Sequence, residues 1–148
     1  MPELPEVETT LKAIKSFEKE VLNSISIHNP NLRWLVDNDI NKKIAGKRIK
    51  QIFRRAKYLI FDFHDYQLIV HLGMSGTLRI INKKDNFFKK HDHAELTFSK
   101  NKLIYNDPRR FGSIHVTKDY KEHFLIKNLG PEPLLEEFSA DYLFKAVQ

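Results

Sequence analysis

No cysteine occurs in the 148 residues, so neither a disulfide nor a thiolate metal site can be built from this chain. No apolar run reaches the roughly 20 residues that cross a bilayer, and the start lacks the basic-then-apolar order of a signal peptide. Internal repeats and low-complexity stretches are also missing. What remains suits a folded domain. A hydrophobic content of 41% with 11% aromatics argues against disorder, and a chain of this length buries roughly two thirds of its extended surface. The net charge of +6 is concentrated: residues 42–57 hold eight basic side chains and no acidic one, whereas residues 1–41 hold four basic and seven acidic. A solvated lysine-rich face is one reading of that block. A basic centre between acidic ends also favours a polyanionic partner, of which nucleic acid is the commonest.

The chain opens Met-Pro-Glu-Leu-Pro-Glu-Val-Glu. Removal of Met1 would leave Pro2 as a free secondary amine with Glu3 and Glu6 close behind. Pro5 suits a first helical turn, and Val7, Leu11 and Ile14 follow three- and four-residue spacing, predicting a helix to about residue 19 with one apolar stripe. Glutamates at a helix start also favour the positive end of its dipole, which alone explains Glu3, Glu6 and Glu8. Short alternating runs then predict strands at 22–28, 48–55, 58–64, 67–71, 77–81, 94–98, 102–106 and 113–117. Eight strands with tight turns and no helices between them imply a mainly β (α+β) fold: a two-layered antiparallel β-sandwich flanked by the N-terminal helix and a short C-terminal helix. A short helix is expected at 123–128, closed by Gly130, and a last one at 140–147, still running at Gln148 as in a chain cut within a domain.

Four internal patches carry candidate chemistry. Alternation across Arg54-Arg55-Ala56-Lys57-Tyr58 puts Arg55 and Lys57 on one strand face, where a lysine can hold phosphate or assist proton transfer, or be merely exposed. In His71-Leu72-Gly73-Met74-Ser75-Gly76 two glycines bracket a methionine that either points outward from a sharp turn or fills a core gap. His91-Asp92-His93 has metal-ligand types but no third ligand near in sequence, and a phosphate contact from His91, or a structural hydrogen bond, fits better. In Asp107-Pro108-Arg109-Arg110-Phe111-Gly112 an arginine beside a bulky aromatic suits wedging into a base stack, unless Phe111 folds back into the core.

Together with Leu129-Gly130-Pro131-Glu132-Pro133-Leu134, these motifs occur in the order and at about the spacing of one family. The sequence resembles the N-terminal domain of bacterial formamidopyrimidine-DNA glycosylase, the repair enzyme that removes oxidised purines, and Leu4 favours it over the sister endonuclease VIII. The resemblance implies a β-sandwich catalytic domain at residues 1–133, with 134–148 a linker and the start of a helix–two-turns–helix module. It implies that Pro2 attacks the sugar and forms a Schiff base, that Glu3 is the acid/base, that Glu6 supports the site and that Lys57 binds phosphate and assists β- and δ-elimination. By the same resemblance His91, Arg109 and Arg110 contact DNA, and Met74, Arg109 and Phe111 fill the gap left by the extruded base. The implied partner is double-stranded DNA with an oxidised purine or abasic site, met by a monomer in the bacterial cytoplasm, with no membrane role. No cofactor is expected in this chain; the family's zinc belongs to a C-terminal zinc finger beyond residue 148. Two alternatives stand beside this reading: a non-catalytic DNA-binding fragment, and an N-terminal-proline tautomerase, which would leave Arg109, Phe111 and the basic centre unexplained.

Overall fold

A computed structural model describes residues 4–85 and 89–129. Pro2 and Glu3, the segment 134–148 and the helix expected at 140–147 lie outside the described residues. Helix α1 spans Leu4–Ile14 and tightens into a 3-10 turn at Lys15–Phe17. It stops short of residue 19 because Phe17 turns inward against Phe98 (ring centroids 4.6 Å apart) and Lys19 adopts a φ of +75°. Val7, Leu11 and Ile14 form its buried stripe, as their spacing predicts.

The strands are β1 (Ser24–Ile27), β2 (Gln51–Arg55), β3 (Tyr58–Asp62), β4 (Gln67–His71), β5 (Thr77–Asn82), β6 (Asp92–Thr97), β7 (Asn101–Asn106) and β8 (Ser113–Thr117). They form two antiparallel four-stranded sheets, ordered β1-β6-β7-β5 and β2-β3-β4-β8. All eight expected strands are present, with ends moved by a few residues. Helix α2 (Ile40–Ile44) was not expected: only five residues long, it buries Ile40 and Ile44, and Asn41 Oδ1 accepts the Ile25 N–H at 2.9 Å on the open edge of β1.

One core fills the space between the sheets, with Leu59, Phe61, Leu68, Val70, Leu96, Leu103 and Tyr105 nearly inaccessible. Every residue of β4 is buried, which requires cover on its other face as well. Residues 120–129 provide it: Ile126 packs on Ile60 and Ile69, and Phe53 meets Tyr120 edge-on at 5.2 Å. This corrects the helix expected at 123–128. The segment is a run of turns, with a short 3-10 turn at Tyr120–Glu122 before it. The sheet surface it covers favours a flat course, and three-residue bonds such as Ile126 N to His123 O (2.9 Å) hold it there.

Two connections pass from one sheet to the other at the same end of the sandwich. Residues 72–76 lead from β4 to β5, and residues 107–112 lead from β7 to β8. Register sets that end, with Tyr58 opposite His71 opposite Ser113 in one sheet, and Thr77 opposite Asn106 opposite Asp92 in the other.

Candidate nucleic-acid interface

That register collects the sequence motifs. The β2–β3 hairpin is a two-residue turn, Ala56-Lys57, between Arg55 and its partner Tyr58, with Ala56 at a φ of +54°. Lys57 therefore sits at a hairpin tip, not on a strand face shared with Arg55. The alternation argument failed because the chain reverses there. Arg54 holds the hairpin to the N-terminal helix: its Nε donates to Glu8 on α1 and its Nη1 donates to the Ala56 carbonyl at 2.9 Å. Glu8 is thus an anchor for the Lys57 turn. Glu6 is exposed in the first turn of α1.

The two inter-sheet connections lie against each other. Met74 is 49% exposed and Phe111 46% exposed, so both point outward and neither fills the core. Arg109 Nη1 lies 3.9 Å from Met74 Sδ, joining the two loops at their tips. Gly73, at a φ of +65°, allows the contact: a Cβ there would lie 2.4 Å from the Gly112 nitrogen.

A buried carboxylate organises both loops. Asp107 is inaccessible. Its Oδ1 accepts from Ser75 Oγ at 3.0 Å and from the Arg110 N–H at 3.1 Å, while Oδ2 accepts from Tyr105 O–H and the Gly112 N–H, each at 2.8 Å. The His93 ring donates through Nε2 to the Asp107 carbonyl at 2.7 Å, and the Asp107 N–H donates to His91 O at 3.1 Å. Burial, then the neighbouring Asp107 charge, pushes the Tyr105 hydroxyl well above its ordinary pKa. Asp107 stood in the sequence motif with no role of its own. The signal was the inward parity of Leu103 and Tyr105 carried two residues further, since an inward carboxylate has to be satisfied.

His91 lies outside the sheets. It precedes β6 with a φ of +71°, off the strand, although its ring stays 6.2 Å from that of His93. Asp92 binds inward to Arg79 through two bonds of 2.7 and 2.6 Å, with Asn106 and the Lys89 amide adding a third and fourth. Burial raises its pKa, but those bonds outweigh it and hold the carboxyl at about 2. Among the described residues no group of three His, Asp or Glu side chains could hold a metal ion, and a four-cysteine zinc site cannot come from a chain without cysteine.

His71 ends β4 beside the Met74 loop, its ring 4.8 Å from that of Tyr58. Burial lowers its pKa, and the charges of Arg33 and Lys57 lower it further, while Asp107 opposes them. Arg33 had not been singled out by the sequence. It lies on a turn closed by the Asn31–Leu35 bridge, and its N–H donates to Gly112 O at 3.2 Å. Lys57, Met74, His91, Arg109, Arg110 and Phe111 thus meet at one end of the sandwich.

A β-sandwich that presents cations and outward apolar side chains on rigid turns at one end is built like a protein that enters a nucleic-acid duplex. The model of the formamidopyrimidine-DNA glycosylase N-terminal domain matches residues 1–114. The chain belongs to that family. It is 46% identical over 151 residues to the formamidopyrimidine-DNA glycosylase of Hydrogenovibrio crunogenus, covering all of this chain and 54% of that relative. The Acinetobacter baylyi enzyme is 42% identical over 149 residues with the same coverage. Among solved structures, the Lactococcus lactis enzyme non-covalently bound to DNA containing an abasic site matches with a TM-score of 0.81 at 35% identity, over 95% of this chain and 55% of that one. A complex of the L. lactis protein with tetrahydrofuran-containing DNA and an inhibitor gives 0.81 at 37% identity, over 91% and 52%. The chain spans about half the length of the curated relatives it matches.

Proposed function

We propose that this chain is the catalytic half of a bifunctional DNA glycosylase and AP lyase that removes oxidised purines, formamidopyrimidines and 8-oxoguanine, from double-stranded DNA in base-excision repair. One observation carries the reading: Met74, Arg109 and Phe111 project together from two loops held by Asp107, at the sandwich end that also carries Lys57. A damaged base must leave the stack to be reached, at a cost of roughly a few kcal/mol, and side chains filling the gap offset part of it. Arg109 then faces the orphaned base, and His91 and Arg110 contact the backbone.

Pro2, freed by loss of Met1, is the nucleophile. An α-amino group titrates at about 7.7–8.0, so an appreciable fraction is neutral near pH 7. Its nitrogen attacks the anomeric carbon, the base leaves with the glycosidic electron pair, and Glu3 passes a proton to the sugar oxygen as the ring opens. Loss of the amine proton leaves a cationic iminium, which acidifies the neighbouring sugar proton. Removing that proton expels the 3′ phosphate by β-elimination; δ-elimination then expels the 5′ phosphate. Lys57 binds phosphate and assists these steps, and Glu6 supports the site. Residues 1–133 make this domain, and 134–148 lead towards the helix–two-turns–helix module and zinc finger of the longer relatives. The protein works as a monomer in the bacterial cytoplasm.

Borohydride trapping on an abasic-site duplex tests the chemistry, with intact mass confirming that Met1 is gone. A covalent adduct is expected. Its absence from processed protein would leave the second reading, DNA binding without catalysis.

A further inference from the structure

The loops at the wedge border a cleft of about 440 Å³ lined by Asn31, Leu32, Arg33, Arg109, Arg110 and Phe111. Its three arginines come from two separate turns. The turn at 31–35 is fixed in place: Leu32 and Val36 anchor it in the core, the Val36 N–H closes it onto Pro30 O at 3.0 Å, and the Arg33 N–H ties its tip to Gly112. Arg33 packs its guanidinium 5.8 Å from the Trp34 ring centre. Among the described residues, none of Arg33, Arg109 and Arg110 has a carboxylate within ion-pair distance. Three like charges around one cleft repel one another until an anion enters it. Planar guanidinium forks suit phosphate oxygens, and Phe111 on the wall suits the face of an adjoining base.

We propose that this cleft is a phosphodiester-binding site in which Arg33 grips the DNA backbone beside the step entered by Phe111. Arg33 is then a DNA-positioning residue, holding the strand still while the wedge fills the gap. The inference rests on the DNA reading above and extends it to a turn outside the motifs.

The test is binding of this chain to an abasic-analogue duplex by fluorescence anisotropy across a salt series, with Arg33→Gln, Arg33→Lys and Lys100→Gln. Arg33 is exposed, so Arg33→Gln should fold as the parent does, which circular dichroism checks. Losing one phosphate contact makes the slope of log K against log salt shallower by about 0.9. Arg33→Lys should keep the slope and weaken binding several-fold, because charge survives and the fork does not. Lys100→Gln, at the opposite end of its sheet, should leave the slope unchanged. A methylphosphonate scan should find one phosphate next to the gap whose neutralisation weakens the parent and not Arg33→Gln. Equal slopes and equal scans for parent and Arg33→Gln would overturn the Arg33 site and leave the DNA reading standing. No salt-dependent binding by the parent would overturn both.

Discussion

Asp107→Asn keeps the shape of the buried side chain while removing its charge and one of its two acceptor atoms. In the parent, four donors converge on the carboxylate: Ser75 Oγ and the Arg110 N–H on one oxygen, Tyr105 O–H and the Gly112 N–H on the other. With the amide oxygen towards Ser75 and Arg110, the amide nitrogen faces two donors. Tyr105 can escape by turning its O–H to His71 O, 3.2 Å away, and then accept from the amide. The Gly112 N–H has no such freedom, and an orphaned buried N–H costs about 1–3 kcal/mol. The two surviving bonds lose their charge assistance, roughly 0.5–1 kcal/mol each. The flipped amide keeps Gly112 and Tyr105 on its oxygen and sets its nitrogen against the Arg110 N–H, which retains the Asp107 carbonyl at 3.2 Å. That arrangement orphans no donor and is the cheaper of the two. The side chain takes the cheaper arrangement, so the expected loss is about 1–2 kcal/mol from the two weakened bonds, which for a chain of this size lowers the melting temperature by roughly 2–8 °C. Urea unfolding and a thermal melt read this directly. Ser75→Ala should cost only about 1 kcal/mol, as one rotatable hydroxyl is lost. An Asp107→Asn protein within about 0.5 kcal/mol of the parent would refute the organising role of this carboxylate.

Other expectations follow from the same packing. Glu8→Ala takes the α1 carboxylate from Arg54, whose side chain is 7% exposed; a loss of about 2–4 kcal/mol in urea unfolding is expected, and a change near zero would mean α1 does not brace the Lys57 hairpin. Gly112→Ala would set a Cβ 2.0 Å from Tyr105 Oη and 2.3 Å from His71 O, so it should cost at least about 2–4 kcal/mol. Gly46→Ala meets nothing within 4 Å but carries a φ of +80°, so a melt should show only about 1 kcal/mol. Burial, then the neighbouring histidine charges, lowers His115 to about 4 from 6.5. The unfolded chain therefore gains protons first as pH falls, and stability should decline between about 6.5 and 4, with His71 and His123 adding to the slope. His115→Leu should flatten that decline in urea midpoints; an unchanged slope would contradict it. Asp92, lowered from 3.8 to about 2, contributes stability above 3.8 that is lost as pH falls towards 2.

The strands were readable because each carries its own period-two pattern between turn residues, and pairing only had to respect it. Val7, Leu11 and Ile14 marked the α1 stripe for the same local reason. Features that depend on distant partners were harder to read. Helix α2 has too few residues for a period to show, and residues 123–128 hold helix-compatible spacing that the outer face of β3 and β4 overrides. In the candidate site, glycines and turn chemistry raised an outward Met74 and Phe111 without deciding them against the core, whereas Asp107 and Arg33 draw their meaning from loops far away in sequence. Lys57 was misplaced by a strand argument carried two residues past the end of β2.

Met74 and Phe111 stand on two of the connections that cross between the sheets, not on hairpins within one of them. A load on their tips therefore divides between two sheets, and sliding one sheet past the other would shear the loops that carry it. The wedge behaves as a bracket bolted to both walls. Under the DNA reading proposed above, stiffness against a resisting duplex, set by the sandwich as a whole, is what that placement would supply.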